Sequence, residues 1–162
     1  MEWMEVGLDN CPVTRALDVV GSRWTLLVLR ELFNGVRRFE DIQQHLGVST
    51  SVLSRRLAEM VGHGLAHRIP YRAEGQRARS EYQPTEKAWE LYPVIVGLMQ
   101  WGDRHLADPA GPPVRLVDNR SGKPVVAAVV PADAQICAPA DISVIPAGAA
   151  GETRRSRTQP TV

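Results

Sequence analysis

Apolar residues recur at helical spacing through the first two-thirds of the chain. Trp24, Leu27, Val28, Glu31 and Leu32 stand at i, i+3, i+4, i+7 and i+8, so four of five positions on one stripe are apolar and a helix with a core face is predicted. Gly21-Ser22 supplies a candidate N-cap, and Asn34-Gly35 tolerates the left-handed turn that ends a helix. A shorter helix fits Phe39 to His45, with Phe39, Ile42 and Leu46 inward and Glu40 and Asp41 near its positive end. Gly47-Val48-Ser49 then reads as a tight turn. From Thr50, Leu53, Leu57, Met60 and Val61 repeat at i, i+4, i+7 and i+8, with Ser49 or Thr50 as N-cap and Gly64 as stop. Two helices joined by a short glycine-containing turn form a helix-turn-helix candidate.

The period changes at Leu65. Leu65, His67 and Ile69 alternate, a polar tip YRAEGQRARS follows, and Glu81-Tyr82-Gln83 alternates again before Pro84-Thr85, which predicts a hairpin. A long helix from about Thr85 to Leu106 carries Trp89, Tyr92, Val96 and Met99 on one stripe, with Leu91, Ile95, Leu98 and Trp101 beside it. That surface is too wide for one neighbour, so part of it is expected to meet a second subunit. The run DPAGPP, Asp108 to Pro113, cannot continue a helix. Beyond it, Val114 to Asp118 and Pro124 to Val130 flank the turn sequence NRSGK and predict a small hairpin, to which Ile142 to Ile145 adds a strand. The final AGAAGETRRSRTQPTV has no apolar face and is expected to be disordered. The fold class expected is mainly α with a small β-wing, a winged helix-turn-helix over 1–108, followed by a β-rich extension over 109–146 and a tail over 147–162.

Composition narrows the function. A chain of 162 residues, 44% hydrophobic, needs neither disulfide nor metal to hold a core. A net charge of +1 is too small for coating nucleic acid by charge alone. Its distribution is uneven, however. Thr50 to Ser80 holds Arg55, Arg56, Arg68, Arg72, Arg77 and Arg79 against Glu59 and Glu74, a local balance of +4 on the second helix and wing, whereas Glu81 to Asp108 is acidic. No apolar run is long enough for a membrane span and the first ten residues are acidic, so a cytoplasmic protein with reduced thiols is expected. The four histidines and two cysteines lack ligand spacing, which argues against a metal, and no cofactor motif occurs.

The stretch CPVTRALDVVGSRWTLLVLRELFNGVRRFEDIQQHLGVSTSVLSRRLAEMVGHGL, followed by RSEYQPTEKAWELYPVIVGLMQWGDRHL, resembles the HxlR-type winged-helix transcriptional regulators of bacteria. The resemblance runs from Cys11 to about Leu106. Cys11-Pro12, Gly21 to Arg30, Arg38-Phe39 with Ile42, Val52-Leu53 with Arg56-Leu57, and Tyr82 with Thr85-Glu86 carry it. It implies a homodimer, formed by the first and last helices, that binds double-stranded operator DNA and regulates nearby genes, with repression the expected direction. Some members of the family sense oxidants or electrophiles through an N-terminal cysteine. Cys11 matches that cysteine by position; a disulfide would join it to a partner's Cys11 or to Cys137.

On a wheel of about 100° per residue, turning Leu53 to Val61 inward places Ser51, Arg55 and Ala58 on the opposite face and Ser54 at its edge. Ser49, Thr50, Ser51 and Ser54 are therefore candidates for bases or phosphates, and Arg55 for forked bonds to guanine. An Arg55–Glu59 pair on a solvated face is the alternative. Arg56 falls beside the core stripe, where an ion pair and a phosphate contact are both open. Arg77 and Arg79 on the wing suit the backbone or minor groove. Arg23 and Arg38 open helices and are phosphate candidates. Trp24 is read as core, and so are Trp89 and Trp101, with dimer packing an additional option for those two. Cys11 fits a sensor but fits at least as well a small buried apolar residue before the first helix, because only Arg15 among nearby residues is cationic.

No catalytic constellation stands out, so an enzyme is not expected. The rival reading is a winged helix that binds protein rather than operator DNA. The basic helix and wing argue against it. A small-molecule or oxidant effector remains an additional expectation.

Overall fold

Several helix stops fall where a glycine takes a positive φ. The computed structural model describes residues 7–71, 79–106 and 108–147. Its first helices are α1 (Pro12–Val20), α2 (Arg23–Phe33), α3 (Phe39–Leu46) and α4 (Thr50–Gly62). Gly47 and Gly64, at φ 61° and 68°, end α3 and α4 in the left-handed region that a Cβ disfavours. Pro12 sits at the first position of α1, where its missing N–H costs nothing. Ser49 is the N-cap of α4, its hydroxyl accepting the Val52 amide at 3.4 Å.

Strands β1 (Ala66–Tyr71) and β2 (Arg79–Pro84) pair antiparallel, from Ala66 opposite Pro84 to Tyr71 opposite Arg79. The tip between them, with Arg77, lies outside the described residues, as does the tail over 148–162 that was expected to be disordered. The residues before α3 join the wing: Arg38 bridges Glu81, and the Tyr82 amide donates to the Arg37 carbonyl at 2.8 Å. The wing is thereby fixed to the helix that precedes the turn.

The chain forms two units, Met1–Ile95 and Val96–Val162. In the first, Val28, Leu29, Leu32, Ile42, Leu53 and Leu57 interlock in a core that continues through Met60 and Leu65. Full burial of each such side chain contributes roughly 1.5–3 kcal/mol. Trp24 packs against this core half-buried, as the periodicity predicts. Val61 departs from the expected inward stripe and is exposed. It lies about 80° round the helix from Leu53, beyond the arc the core covers.

The expected helix from Thr85 to Leu106 is interrupted. It is two helices, α5 (Glu86–Trp89) and α6 (Tyr92–His105). Pro93 has no amide to offer the Trp89 carbonyl and disfavours helical geometry at Tyr92. The chain tightens there, with Leu91 donating to the Ala88 carbonyl at 2.9 Å and Val94 to Leu91 at 3.0 Å. Trp89 stacks on Phe33 at 4.6 Å between ring centres, and Tyr92 meets Phe33 edge-on at 5.5 Å.

In the second unit, the expected hairpin of Val114 to Asp118 with Pro124 to Val130 does not form. Strand β3 (Val114–Asp118) pairs antiparallel with β4 (Ile142–Pro146). The NRSGK turn does close, with Asp118 accepting from the amides of Arg120 and Ser121, but pairing past it is limited to a bridge between Val117 and Pro124. Pro124 has no amide for a ladder. Next to it, the Gln100 side chain of α6 donates to the Val125 carbonyl at 2.8 Å and accepts the Ala127 amide at 2.9 Å. Groups that would have extended a hairpin are held by that glutamine.

Candidate nucleic-acid interface

The burial of Leu53, Leu57 and Met60 fixes which side of α4 meets solvent. Ser51, Ser54, Arg55 and Ala58 are all exposed, as are Ser49 and Thr50 at the helix start. Three of these hydroxyls already have protein partners. The Thr50 hydroxyl accepts from Gln43 Nε2 at 2.9 Å, tying α4 to α3 across the turn, and the Ser49 and Ser51 hydroxyls lie 3.3 Å apart. Ser54 has no such tie among the described residues.

Arg55 and Arg56 compete for one carboxylate. Arg56 Nη1 lies 2.5 Å from Glu59, whereas Arg55 Nε is 3.9 Å away, at the limit of an ion pair. Arg56 is the more buried of the two, and its Nε is buried without a hydrogen-bond partner among the described residues. Arg55 extends into solvent, nearly free to fork onto an incoming acceptor.

The other arginines are differently engaged. Arg38 bonds Glu81 at 3.3 Å and lies over the Tyr71 ring at 5.1 Å, so it straps the wing to the start of α3. Glu81 holds the Arg38 pKa above the ordinary arginine value. Arg79 stands 3.6 Å from Glu40 and remains half-exposed. Arg23 lies over the ring of Trp24 at 5.3 Å.

Three features were missed in the sequence. Glu31, the one polar residue on the α2 stripe, is buried at 2% exposure, and its oxygens accept from Arg30 Nε at 2.9 Å and face His45 Nδ1 at 2.6 Å. His45, which had no evident role, is thus the link from the end of α3 to the core. The signal was faint: a single acid inside an apolar repeat implies a cationic partner but does not say which. The second feature is a clamp on the end of α4. Thr85 donates to the Gly64 carbonyl at 2.7 Å while capping α5, and Lys87 donates to the His63 carbonyl at 2.8 Å. The third is the setting of Cys11, the N-cap residue of α1. Its sulfur makes no cap hydrogen bond, yet the backbone and hydroxyl of Thr14, then the Val13 amide, hold the thiol pKa below its ordinary value. The helix start supplies the polarisation that no neighbouring lysine or histidine does.

Core stripe, turn, solvent-facing helix and strapped wing occur in the order of a winged helix, and the sequence pattern of the HxlR-like helix-turn-helix family matches residues 19–109. The chain belongs to that family. An uncharacterised helix-turn-helix-type transcriptional regulator of Mycobacterium tuberculosis is 48% identical over 111 residues, which is 68% of this chain and 69% of the relative. One from Synechocystis is 36% identical over 93 residues, covering 57% and 67%. Among solved structures, PA1607, described as a candidate transcription factor, shares 38% identity over 78% of this chain and 87% of its own, with a TM-score of 0.67. The redox regulator HypR in its oxidised form shares 26% identity over 60% of this chain and all of its own, with a TM-score of 0.54.

Membership of the HxlR-like family makes the chain a DNA-binding transcription regulator with a winged-helix fold. The matched region runs from the end of α1 through α6, so it includes the turn and wing and excludes Cys11 and most of the extension. Among the described residues no cluster of His, Cys, Asp and Glu could hold a metal ion, and no helix is long and apolar enough to cross a membrane.

Proposed function

We propose that this HxlR-family chain binds operator DNA as a homodimer and represses transcription from nearby promoters. The observation that carries the reading is the exposed face of α4, where Ser51, Ser54 and Arg55 stand opposite the buried leucines. A helix presented in this way fits the major groove, with Arg55 at a base edge and the hydroxyls of Ser49, Thr50, Ser51 and Ser54 on bases or phosphates. Arg79, Arg77 and Arg23 would hold phosphates, Arg38 would fix the wing, and Arg56 would act through Glu59. The dimer would be formed by a second copy covering Leu8, Val13 and Leu17 near the amino end and Val94, Leu98 and Trp101 on α6, all apolar and exposed. In this reading residues 1–108 are the DNA-binding and dimerisation domain and 109–146 an extension to it. Selection of bound fragments from genomic DNA tests it. Recovery of an inverted repeat near promoters is expected; retention that ignores sequence or salt would overturn it.

A second reading is favoured by the setting of Cys11 and by the resemblance to a redox regulator. Oxidation of the Cys11 thiolate would alter operator affinity. Peroxide or diamide should then change DNA binding of the wild type but not of Cys11→Ser, and indifference of the wild type would leave Cys11 as a packed residue.

A further inference from the structure

The geometry points to a ligand site at the edge of the proposed DNA surface: a cleft between α3, α4 and the wing that takes a small aromatic monocarboxylic acid bearing its own hydrogen-bond donor. The cleft has a volume of about 410 Å³, enough for a single-ring acid with a few waters. The aromatic residues Phe39 and Tyr82 line it, Tyr82 being buried and Phe39 half-buried. Its polar lining is cationic on the wing side, where Arg68 and Arg79 approach from β1 and β2, with hydroxyls at Ser54 and Ser80.

The charges select the ligand. Arg68 Nε donates to Ser80 Oγ at 2.8 Å, and its two terminal nitrogens have no partner among the described residues. They form the end of a fork suited to a carboxylate. Arg79 is balanced only loosely by Glu40, at 3.6 Å. Two guanidiniums against one carboxylate leave one positive charge, which a monoanion neutralises and a dianion beside Glu40 would exceed. Glu40 is also an acceptor with no hydrogen bond from the described residues, so an occupant that carries a hydroxyl gains a partner there. A ring against the lining that Phe39 and Tyr82 supply, a carboxylate on Arg68 and a donor toward Glu40 together describe a hydroxylated aromatic acid.

Ser54 and Arg79 also belong to the proposed DNA surface, so a filled cleft withdraws both from DNA. This regulatory half rests on the operator-binding reading; the binding half does not. The test titrates the full chain, at constant ionic strength, with 4-hydroxybenzoate, benzoate, benzamide and inorganic phosphate, followed by calorimetry and by chemical shifts.

Saturable binding is expected for the two acids, tighter for 4-hydroxybenzoate, and at least about tenfold weaker for benzamide and phosphate. Arg68→Gln, checked for unchanged thermal unfolding, should weaken both acids by about tenfold or more. Glu40→Leu, which removes the acceptor and one negative charge, should bind benzoate at least as tightly while removing the advantage of the hydroxyl, which a merely structural role for Glu40 would not do. Operator affinity should fall in step with occupancy. No saturation below about 10 mM, or equal binding to Arg68→Gln, would overturn the site. Phosphate binding as well as the acids would reduce it to an unselective anion seat and overturn the ligand class. Acid binding without loss of operator affinity would overturn the competition. A chain that binds the acid but no DNA sequence would leave the cleft standing and remove the operator reading instead.

Discussion

Arg55 and Arg56 are adjacent, yet one points to solvent and the other along the core with its charge on Glu59. The helical wheel separated them, because a 100° step moves Arg55 to the outer face. It could not say which would take Glu59, since i,i+3 and i,i+4 pairs are both within reach. Arg55→Ala should cost roughly 1–3 kcal/mol on the selected operator and much less on random DNA, read by titration of each duplex with folded protein. Unchanged discrimination would move base reading to Ser51 or Ser54. Cys11 was legible by position but its chemistry was not, because the polarising groups are amides and the Thr14 hydroxyl of the helix that Pro12 begins. Its lowered pKa means that thiolate forms at lower pH than in the unfolded chain. In a Cys137→Ser background, alkylation by iodoacetamide should rise through a midpoint below that of the urea-unfolded protein and fall away at pH below it. Coincident midpoints would show that the helix start does not activate the thiol.

At the scale of elements, α2, α3, α4 and the wing were legible because each has an apolar period bounded by residues that stop it. The segments that misled were those in which a proline or a tertiary partner overrides local pattern. Trp89 to Met99 keeps helical spacing across Pro93, so the apolar repeat survives while the backbone breaks. Pro124 to Val130 is rich in valine, but Gln100 takes its backbone groups and leaves Ile142 to Pro146 as the partner of β3. Thr85 shows how small a tie between elements can be, one hydroxyl capping α5 and closing the end of α4. Thr85→Ala should lower stability by about 1–2 kcal/mol in chemical unfolding. Thr85→Ser should recover most of it, and equal losses in both would point to the lost methyl instead.

For the molecule as a whole, a charge of +1 conceals a basic stretch over Thr50–Ser80 followed along the chain by an acidic one over Glu81–Asp108, and this asymmetry was visible by counting. Assembly was not, since exposed apolar residues on α1 and α6 do not name what covers them. If a second copy does, Leu17→Glu should convert a dimer to a monomer in light scattering with its helical content kept, and a dimer that persists would place the seam elsewhere. Arg79→Ala should weaken operator and random DNA alike and flatten the dependence of log affinity on log salt by about one unit. An unchanged slope would free Arg79 from phosphate contact. The buried carboxylate of Glu31 bears on ancestry as well as stability. His45→Leu alone strands one of its oxygens at a cost of about 1–3 kcal/mol, whereas replacing the acid by an apolar residue as well removes the buried polar group and leaves the half-exposed Arg30 to solvent. Positions 31 and 45 therefore form an epistatic pair, and a lineage leaving this arrangement must change both or pass through a less stable intermediate.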